Sequence, residues 1–384
     1  MNNSSLVQQL ALSTFTPSTM SQAMLEGIFV QREQLLQTVV KELSDSIHGS
    51  KKYLMLVGAR GMGKTHFVSL VYHRIKNTSE IQDDLLIAWL REEEYGVNSW
   101  VYLIIEILRA LAQEGIDTEQ QISKLTKLPI DEAEYLANQV LLDLIGNKTL
   151  LIITENFDKL LYGLGDSHQF KFRSFLQENN CCSILATAPK TSQDIISRSK
   201  PFFGFFSQID LPPFSHEDAV AMLIKIADLS GNTKLAKFLK TNEGISRVRA
   251  LHHLAGGNPR VYTLFAQLIT EETLEALLPA VIDMLDKLTP YYQSRIESLG
   301  QSDDQQKIVM YLARETRAVT VKEITAQCFI SSERTTSSAL KKLKDKGYVI
   351  SEQNGREVSY ELSEVLMRLC LEMKNSRKIG RAHV

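Results

Sequence analysis

No run of apolar residues in this chain of 384 approaches the roughly 20 that a helix needs to cross a bilayer. The first fifteen residues, MNNSSLVQQLALSTF, lack both a basic start and a long apolar core, so neither export nor a membrane partner is expected. Cysteine is scarce. Cys181, Cys182, Cys328 and Cys370 form no C-x-x-C pair and have no metal-type spacing with histidine, which excludes a disulfide framework and a zinc module. Cys181 and Cys182 open an apolar stretch, where small hydrophobes belong, and the expected setting is a reducing cytoplasm. An excess of one charge is missing too. With a formal net charge of −2 the chain is no polycation, so any contact with nucleic acid must be local. What remains, 44% hydrophobic and 23% charged residues, is the composition of a globular protein with room for two or three domains.

The informative stretch is Tyr53 to His66, YLMLVGARGMGKTH. Four apolar residues, Leu54 to Val57, lead into Gly58-Ala59-Arg60-Gly61-Met62-Gly63-Lys64-Thr65, which fits G-x-x-x-x-G-K-T/S, the Walker A pattern, at every fixed position. The apolar run reads as a buried strand, and FVSLVYHRI after it has helical spacing, so the glycines fall at a strand-to-helix turn. Such a turn points successive backbone N–H groups inward and adds the positive end of the following helix, making a nest for polyphosphate. Lys64 is expected on the β and γ phosphates of ATP, and the Thr65 hydroxyl on Mg²⁺. Gly58, Ala59, Arg60, Gly61, Met62, Gly63 and His66 complete the candidate cofactor-binding set. A plain glycine-rich turn with an exposed lysine is the competing reading, and the matching flanks weigh against it.

Around this motif, residues 1–25 read as a flexible lead-in, and Leu35, Leu36, Val39, Val40 and Leu43 have helical period. Leu85 to Leu90 is a strand expected far from the P-loop, followed by the acidic Arg91-Glu92-Glu93-Glu94. Helices are expected over Trp100–Ala112 and Asp131–Ile145. Thr149-Leu150-Leu151-Ile152-Ile153-Thr154-Glu155-Asn156-Phe157-Asp158 then has the shape of a Walker B strand, which delivers a magnesium carboxylate followed by a water-polarising one. Two registers are open. The favoured one puts Glu155 on the metal and Asn156 at the catalytic position, where an amide cannot accept a proton; the other puts Thr154 and Glu155 there. Ser183 to Ala188 is a further strand carrying Thr187 near its end, Phe205 to Leu211 another, and Arg198 between them is a weak candidate for an arginine finger.

From Pro212 onward strand character fades into helices as far as about Leu288, opened by Ser215-His216-Glu217-Asp218 as a cap with an acidic first turn. Gly256-Gly257-Asn258-Pro259-Arg260 punctuates them, with proline suited to a first helical turn. After residue 300, helices over Gln306–Leu312, Val321–Ala326 and Ser331–Lys346 precede two strand-like runs around Asn354-Gly355, a strong hairpin signal. Three helices and a hairpin make a winged helix-turn-helix. Its third helix offers Arg334, Thr335, Thr336, Lys341 and Lys342, and its wing Arg356, as candidate contacts to duplex DNA, although Glu333, Asp345, Glu352 and Glu357 dilute the field.

Taken in this order, the elements resemble the AAA-like ATPases between origin initiators and STAND regulators, with a MarR-like winged helix, over roughly residues 27 to 370. The resemblance implies an α/β P-loop NTPase with a helical lid: 26–212 as ATPase domain, 213–300 as lid, 301–377 as winged helix. It further implies sensor 1 at Thr187 and a sensor 2 phosphate contact at Arg260. Phe29-Val30-Gln31-Arg32-Glu33 resembles the F-V-G-R-E box that borders adenine in those families, with Gln31 replacing glycine. The expected function is a STAND-like switch that binds Mg-ATP, hydrolyses it slowly and presents the winged helix to DNA. An initiator- or transposition-type loader that self-associates on DNA, and an ATP-stabilised adaptor for a protein partner, are the alternatives. The last seven residues, Lys378 to Val384, match translation through a common short-read sequencing adapter and are set apart as an expected artefact.

Overall fold

The computed structural model describes residues 18, 20–58, 61–90, 96–189, 195, 197–255, 257–266, 277–299, 303–315, 317–354, 357–364 and 366–371. They divide into two compact units, one ending at Pro212 and the other beginning at Pro213.

The first unit is a sheet covered by helices. Its elements are α1 (Gln22–Ile28), α2 (Glu33–His48), β1 (Tyr53–Val57), α3 (Lys64–Lys76), β2 (Leu85–Leu90), α4 (Trp100–Gln113), α5 (Glu119–Thr126), α6 (Ile130–Ile145), β3 (Thr149–Thr154), α7 (Phe157–Asn179), β4 (Cys182–Ala188) and β5 (Ser207–Asp210). β2, β3 and β4 are buried along their whole length. Such continuous apolar strands are what a parallel sheet with helices on both faces requires. The strand order is β2-β3-β4-β1-β5, every pairing parallel, with Leu56 opposite Thr187 and Thr154 opposite Ala186. The Walker A strand β1 and the Walker B strand β3 therefore flank β4, and β2 lies at the far edge, as expected from the sequence. Under the sheet, Trp100 stacks on Phe172 with ring centroids 5.1 Å apart, and its indole N–H donates to Asn138 Oδ1 at 2.7 Å. That pairing buries a large ring without leaving its one donor unsatisfied.

The expected lead-in to residue 25 is too long. Ser21 caps α1 through the Met24 N–H, and Met24 and Leu25 are buried.

The second unit contains α8 (His216–Leu229), α9 (Thr233–Leu239), α10 (Asn242–Ala255), α11 (Pro259–Ala266), α12 (Leu277–Glu297), α13 (Asp303–Arg314), β6 (Val319–Thr320), α14 (Val321–Gln327), α15 (Glu333–Asp345), β7 (Val349–Asn354) and β8 (Glu357–Leu362). Ser215 and Asp218 form the capping box that starts α8. Strands β7 and β8 pair antiparallel with Asn354 opposite Glu357, the register of a tight hairpin, and β6 adds a third strand in the order β6-β8-β7. Two residues of β6 are too few to leave a periodic signal in the sequence.

Hydrogen bonds cross the boundary expected at residue 300. Buried Arg295 of α12 donates to Glu364 at 2.6 Å, Tyr292 donates to the same carboxylate at 2.8 Å, and Tyr348 donates to the Arg295 carbonyl at 2.6 Å. The last helix of the expected lid is thus tied directly into the winged helix-turn-helix.

Candidate nucleotide-binding site

The loop between β1 and α3 has the backbone that the motif demands. Gly61 and Gly63 take left-handed φ values of 89° and 83°, where any side chain is strained, and Gly63 is the N-cap of α3. The Gly58 N–H donates to Ala188 O at 3.2 Å, tying the loop entrance to the end of β4. Lys64 Nζ donates to Gly58 O at 2.6 Å, so the ammonium folds back over the loop. Ala59 and Arg60 lie outside the described residues.

Across the cradle, the Thr65 hydroxyl donates to Glu155 Oε2. Glu155 is 9% exposed and follows the last residue of β3. This contact brings Glu155, which both registers place at the site, against the Walker A threonine. Thr187, 2% exposed on the intervening β4, accepts the Asn156 N–H through Oγ1 at 3.3 Å. The middle strand therefore holds the turn after Walker B.

Asn156 has φ of 51° and is the N-cap of α7. Asparagine is among the few non-glycine residues at home in that left-handed region, so the backbone accounts for its presence where a catalytic Glu stands in related motifs. Asp158, in the first turn of α7, carries the neighbouring carboxylate. Burial pushes its pKa up against the pull of nearby Lys159 and Lys64, and its Oδ1 is buried with no hydrogen-bond partner among the described residues.

Arg32 is the functional residue that sequence reasoning passed over. Buried at 9% exposure, its guanidinium donates to Met62 O at 2.6 Å and to Pro212 O at 2.7 Å, bridging the P-loop and the end of the unit. The signal was the box Phe29 to Glu33, whose arginine carries the clamp. Gln31, which stands in place of the box's glycine, has φ of 62°, so the backbone keeps the glycine geometry without the glycine.

His66 faces away from the role assigned to it. Its Nε2 pairs with Leu25 O at 3.0 Å, and its ring stacks on Phe29 at 5.8 Å, joining α3 to α1 and the box. Burial lowers its pKa to about 4 from 6.5, with Arg32 adding to the effect against the Leu25 carbonyl and Glu26. The unfolded chain takes up a proton near pH 6.5 and the folded one resists until about pH 4, so stability falls as pH drops through that window. The expected loss is at most about 1.4 kcal/mol per pH unit. His66→Gln should flatten this part of a pH–stability curve measured by urea unfolding; a curve unchanged from wild type would discount the histidine.

The remaining candidates lie in the second unit or on the surface. Arg260, in the first turn of α11, sits over the Tyr291 ring at 5.4 Å. The turn before it needs glycine: Gly257 has φ of 73°, and a Cβ there would meet Phe214 O at 2.5 Å. Arg198 is exposed in the turn after β4. On α15, Arg334, Lys341 and Lys342 are exposed and Thr335 half-buried. Thr336 is a correction. It is 0% exposed, and its hydroxyl is engaged by Thr325 at 2.8 Å and by Ser332 O, so it joins α15 to α14 and does not face a ligand. The open face instead runs through Arg334, Ser337, Ser338 and Lys341, a helical repeat that the sequence contained. Arg356 lies outside the described residues, as do Arg91 to Glu94 and Lys378 to Val384.

A five-stranded parallel sheet with this glycine nest, followed by helices and a winged helix-turn-helix, is a P-loop NTPase fold with a winged-helix unit. No family model matches the chain. Among solved structures, the Walker-type ATPase of Pyrococcus abyssi superposes with a TM-score of 0.62 at 14% identity, covering 90% of this chain and 96% of that one. The Aeropyrum pernix ORC1 protein, solved in complex with DNA, gives 0.52 at 13% identity over 91% and 94%. The ORC2 protein of the same organism, in its ADP form, gives 0.53 at 12% over 89% and 93%. At these identities the likeness is one of fold. A curated relative, described as an uncharacterized HTH-type transcriptional regulator of Methanocaldococcus jannaschii, is 21% identical over 372 residues, covering 88% of this chain and 87% of that protein.

Proposed function

We propose that the protein is a nucleotide-dependent, DNA-associated regulatory ATPase of STAND-like character, working in a reducing cytoplasm. The observation that carries this reading is the Thr65 hydroxyl set against the Glu155 carboxylate at the mouth of a left-handed glycine nest. Hydroxyl and carboxylate are hard oxygen donors suited to Mg²⁺, and the nest suits the phosphates it would bridge. When bound, Mg²⁺ neutralises phosphate charge. Thr65 and Glu155 would hold it, Lys64 would move from Gly58 O onto the phosphates, and Thr187 would orient the Asn156 turn. With an amide at position 156, turnover is expected to be slow. Arg260 is carried over as the lid's phosphate contact on its Gly-Asn-Pro-Arg setting alone.

The charge of α15 favours duplex DNA over a protein partner, because Arg334, Lys341, Lys342 and Lys344 outnumber Glu333 and Asp345 on it. The relative described as an HTH-type transcriptional regulator and the ORC1 protein solved in complex with DNA agree with that choice. Fluorescence anisotropy of a labelled duplex, with ADP or Mg-ATP and across a salt series, tests it. Affinity should differ between the two nucleotides, and Arg334→Ala or Lys341→Ala should each lower the salt slope by about 1. Absence of duplex binding at low salt in either state would leave the adaptor reading. Mg-ATP-dependent oligomers on the duplex would instead select the loader.

A further inference from the structure

Helix α14 ends in a Schellman motif: after the cap Cys328, the Phe329 N–H donates to Ala326 O at 3.4 Å and the Ile330 N–H to Thr325 O at 3.1 Å. The residue after the cap in this motif takes the left-handed conformation and is usually glycine. Here it is Phe329, with φ of 53°. The ring gains nothing by packing, for it is 94% exposed, while the next residue, Ile330, is buried, as is common in the motif. A bulky residue thus accepts backbone strain and leaves its apolar surface in water, a break with local preference of the kind expected at functional positions.

Its neighbourhood says what would cover it. Phe329 lies in the turn of the helix-turn-helix, three residues before Ser332, the N-cap of α15. At about 3.8 Å per residue its Cα is within about 11 Å of that cap. The N-terminal residues of a recognition helix are those that meet base edges. Of the exposed side chains that follow, Glu333 is acidic, but the face from Arg334 through Ser337, Ser338 and Lys341 is basic or hydroxylic, which complements a polyanion and not an apolar protein groove. On the major-groove edge of a duplex, the apolar group available to a phenyl ring is the thymine methyl.

We propose that Phe329 is an apolar DNA contact that packs on the 5-methyl group of a thymine beside the N-terminal turn of α15. The proposal rests on the reading of the winged helix as a duplex-binding module. The test uses the full chain and Phe329→Asn, a residue suited to the left-handed backbone, on an alternating A·T duplex and on the same duplex with uracil for thymine. Phe329→Asn should melt at a higher temperature than wild type and bind the A·T duplex about fivefold more weakly with an unchanged salt slope, as expected for one lost apolar contact. Replacing thymine by uracil should weaken wild type by a similar factor and leave Phe329→Asn unaffected. Wild type that binds both duplexes equally, or Phe329→Asn that keeps full affinity, would overturn the assignment and leave duplex binding intact. Wild type that binds neither duplex would overturn the DNA reading itself, and this proposal with it. A change in sedimentation of Phe329→Asn without DNA would assign the ring to a protein contact instead.

Discussion

Lys64→Ala is expected to lower Mg-ATP affinity by about 100-fold or more while barely moving the melting temperature. The ammonium's bond to Gly58 O, at 2.6 Å, is made in a partly buried setting, where the net loss of such a bond costs the fold little. On a polyphosphate the same group would make charge-assisted bonds worth about 1.5–3 kcal/mol each. Two such bonds give about 3 kcal/mol or more, and each 1.4 kcal/mol is about tenfold in affinity. Titration calorimetry of wild type and Lys64→Ala with Mg-ATP, beside a thermal melt without nucleotide, separates binding from stability. Equal affinities would show that the nucleotide, if any, binds elsewhere. Any ATP turnover should disappear in the same variant.

Arg32→Ala should instead act mainly on stability. Its guanidinium satisfies two carbonyls, Met62 O in the P-loop and Pro212 O at the end of the first unit, from a buried position. Removing it leaves both acceptors without this donor, at about 3 kcal/mol or more for two bonds to a charged group. For a unit of this size about 1 kcal/mol corresponds to about 2–4 °C, so the first unit's melting transition should fall by about 6–12 °C. Arg32→Lys should not rescue it, because an ammonium cannot reproduce the fork that reaches two carbonyls at once. Mg-ATP affinity should drop as well, since the Met62 carbonyl would no longer hold the loop in place. A melt within 1 or 2 °C of wild type would remove the clamp from the account.

Both predictions act on one cradle, yet the two residues were unequally legible. Lys64 belongs to a contiguous motif whose chemistry is set by neighbours in sequence. Arg32 acquires its role only through partners 30 and 180 residues away. The same contrast runs through the Walker B segment. The apolar run Thr149 to Thr154 announced its strand, whereas the contact of Glu155 with the Thr65 hydroxyl, 90 residues away, could not be read from it. Asn156 read as a lost catalytic acid. The structure adds a backbone reason for it, a left-handed N-cap that a glutamate would fill at the cost of strain.

The second unit repeats the lesson. Asn354-Gly355 located the hairpin, and the helix expected from Ser331 begins within two residues of where Ser332 caps α15, because turn and cap chemistry are local. Which side of α15 stays open was not local. A hydroxylic residue suits either face of a helix, and Thr336 was drawn inward by Thr325 of the preceding helix, leaving Ser337 and Ser338 outside. His66 followed the same rule, captured by the Leu25 carbonyl and the Phe29 ring.

By itself, then, the amino-acid order determined the elements, the glycine nest with its lysine, and the succession of P-loop sheet, helices and winged helix. Hydrophobic period, glycine backbone freedom and capping act within a few residues and are written directly in the chain. Tertiary structure alone decided which carboxylate meets Thr65, which arginine braces the P-loop, and which face of α15 remains open, along with the exposure of Phe329. Burial and hydrogen bonding between elements far apart in sequence depend on how those elements pack, and no local pattern carries that information.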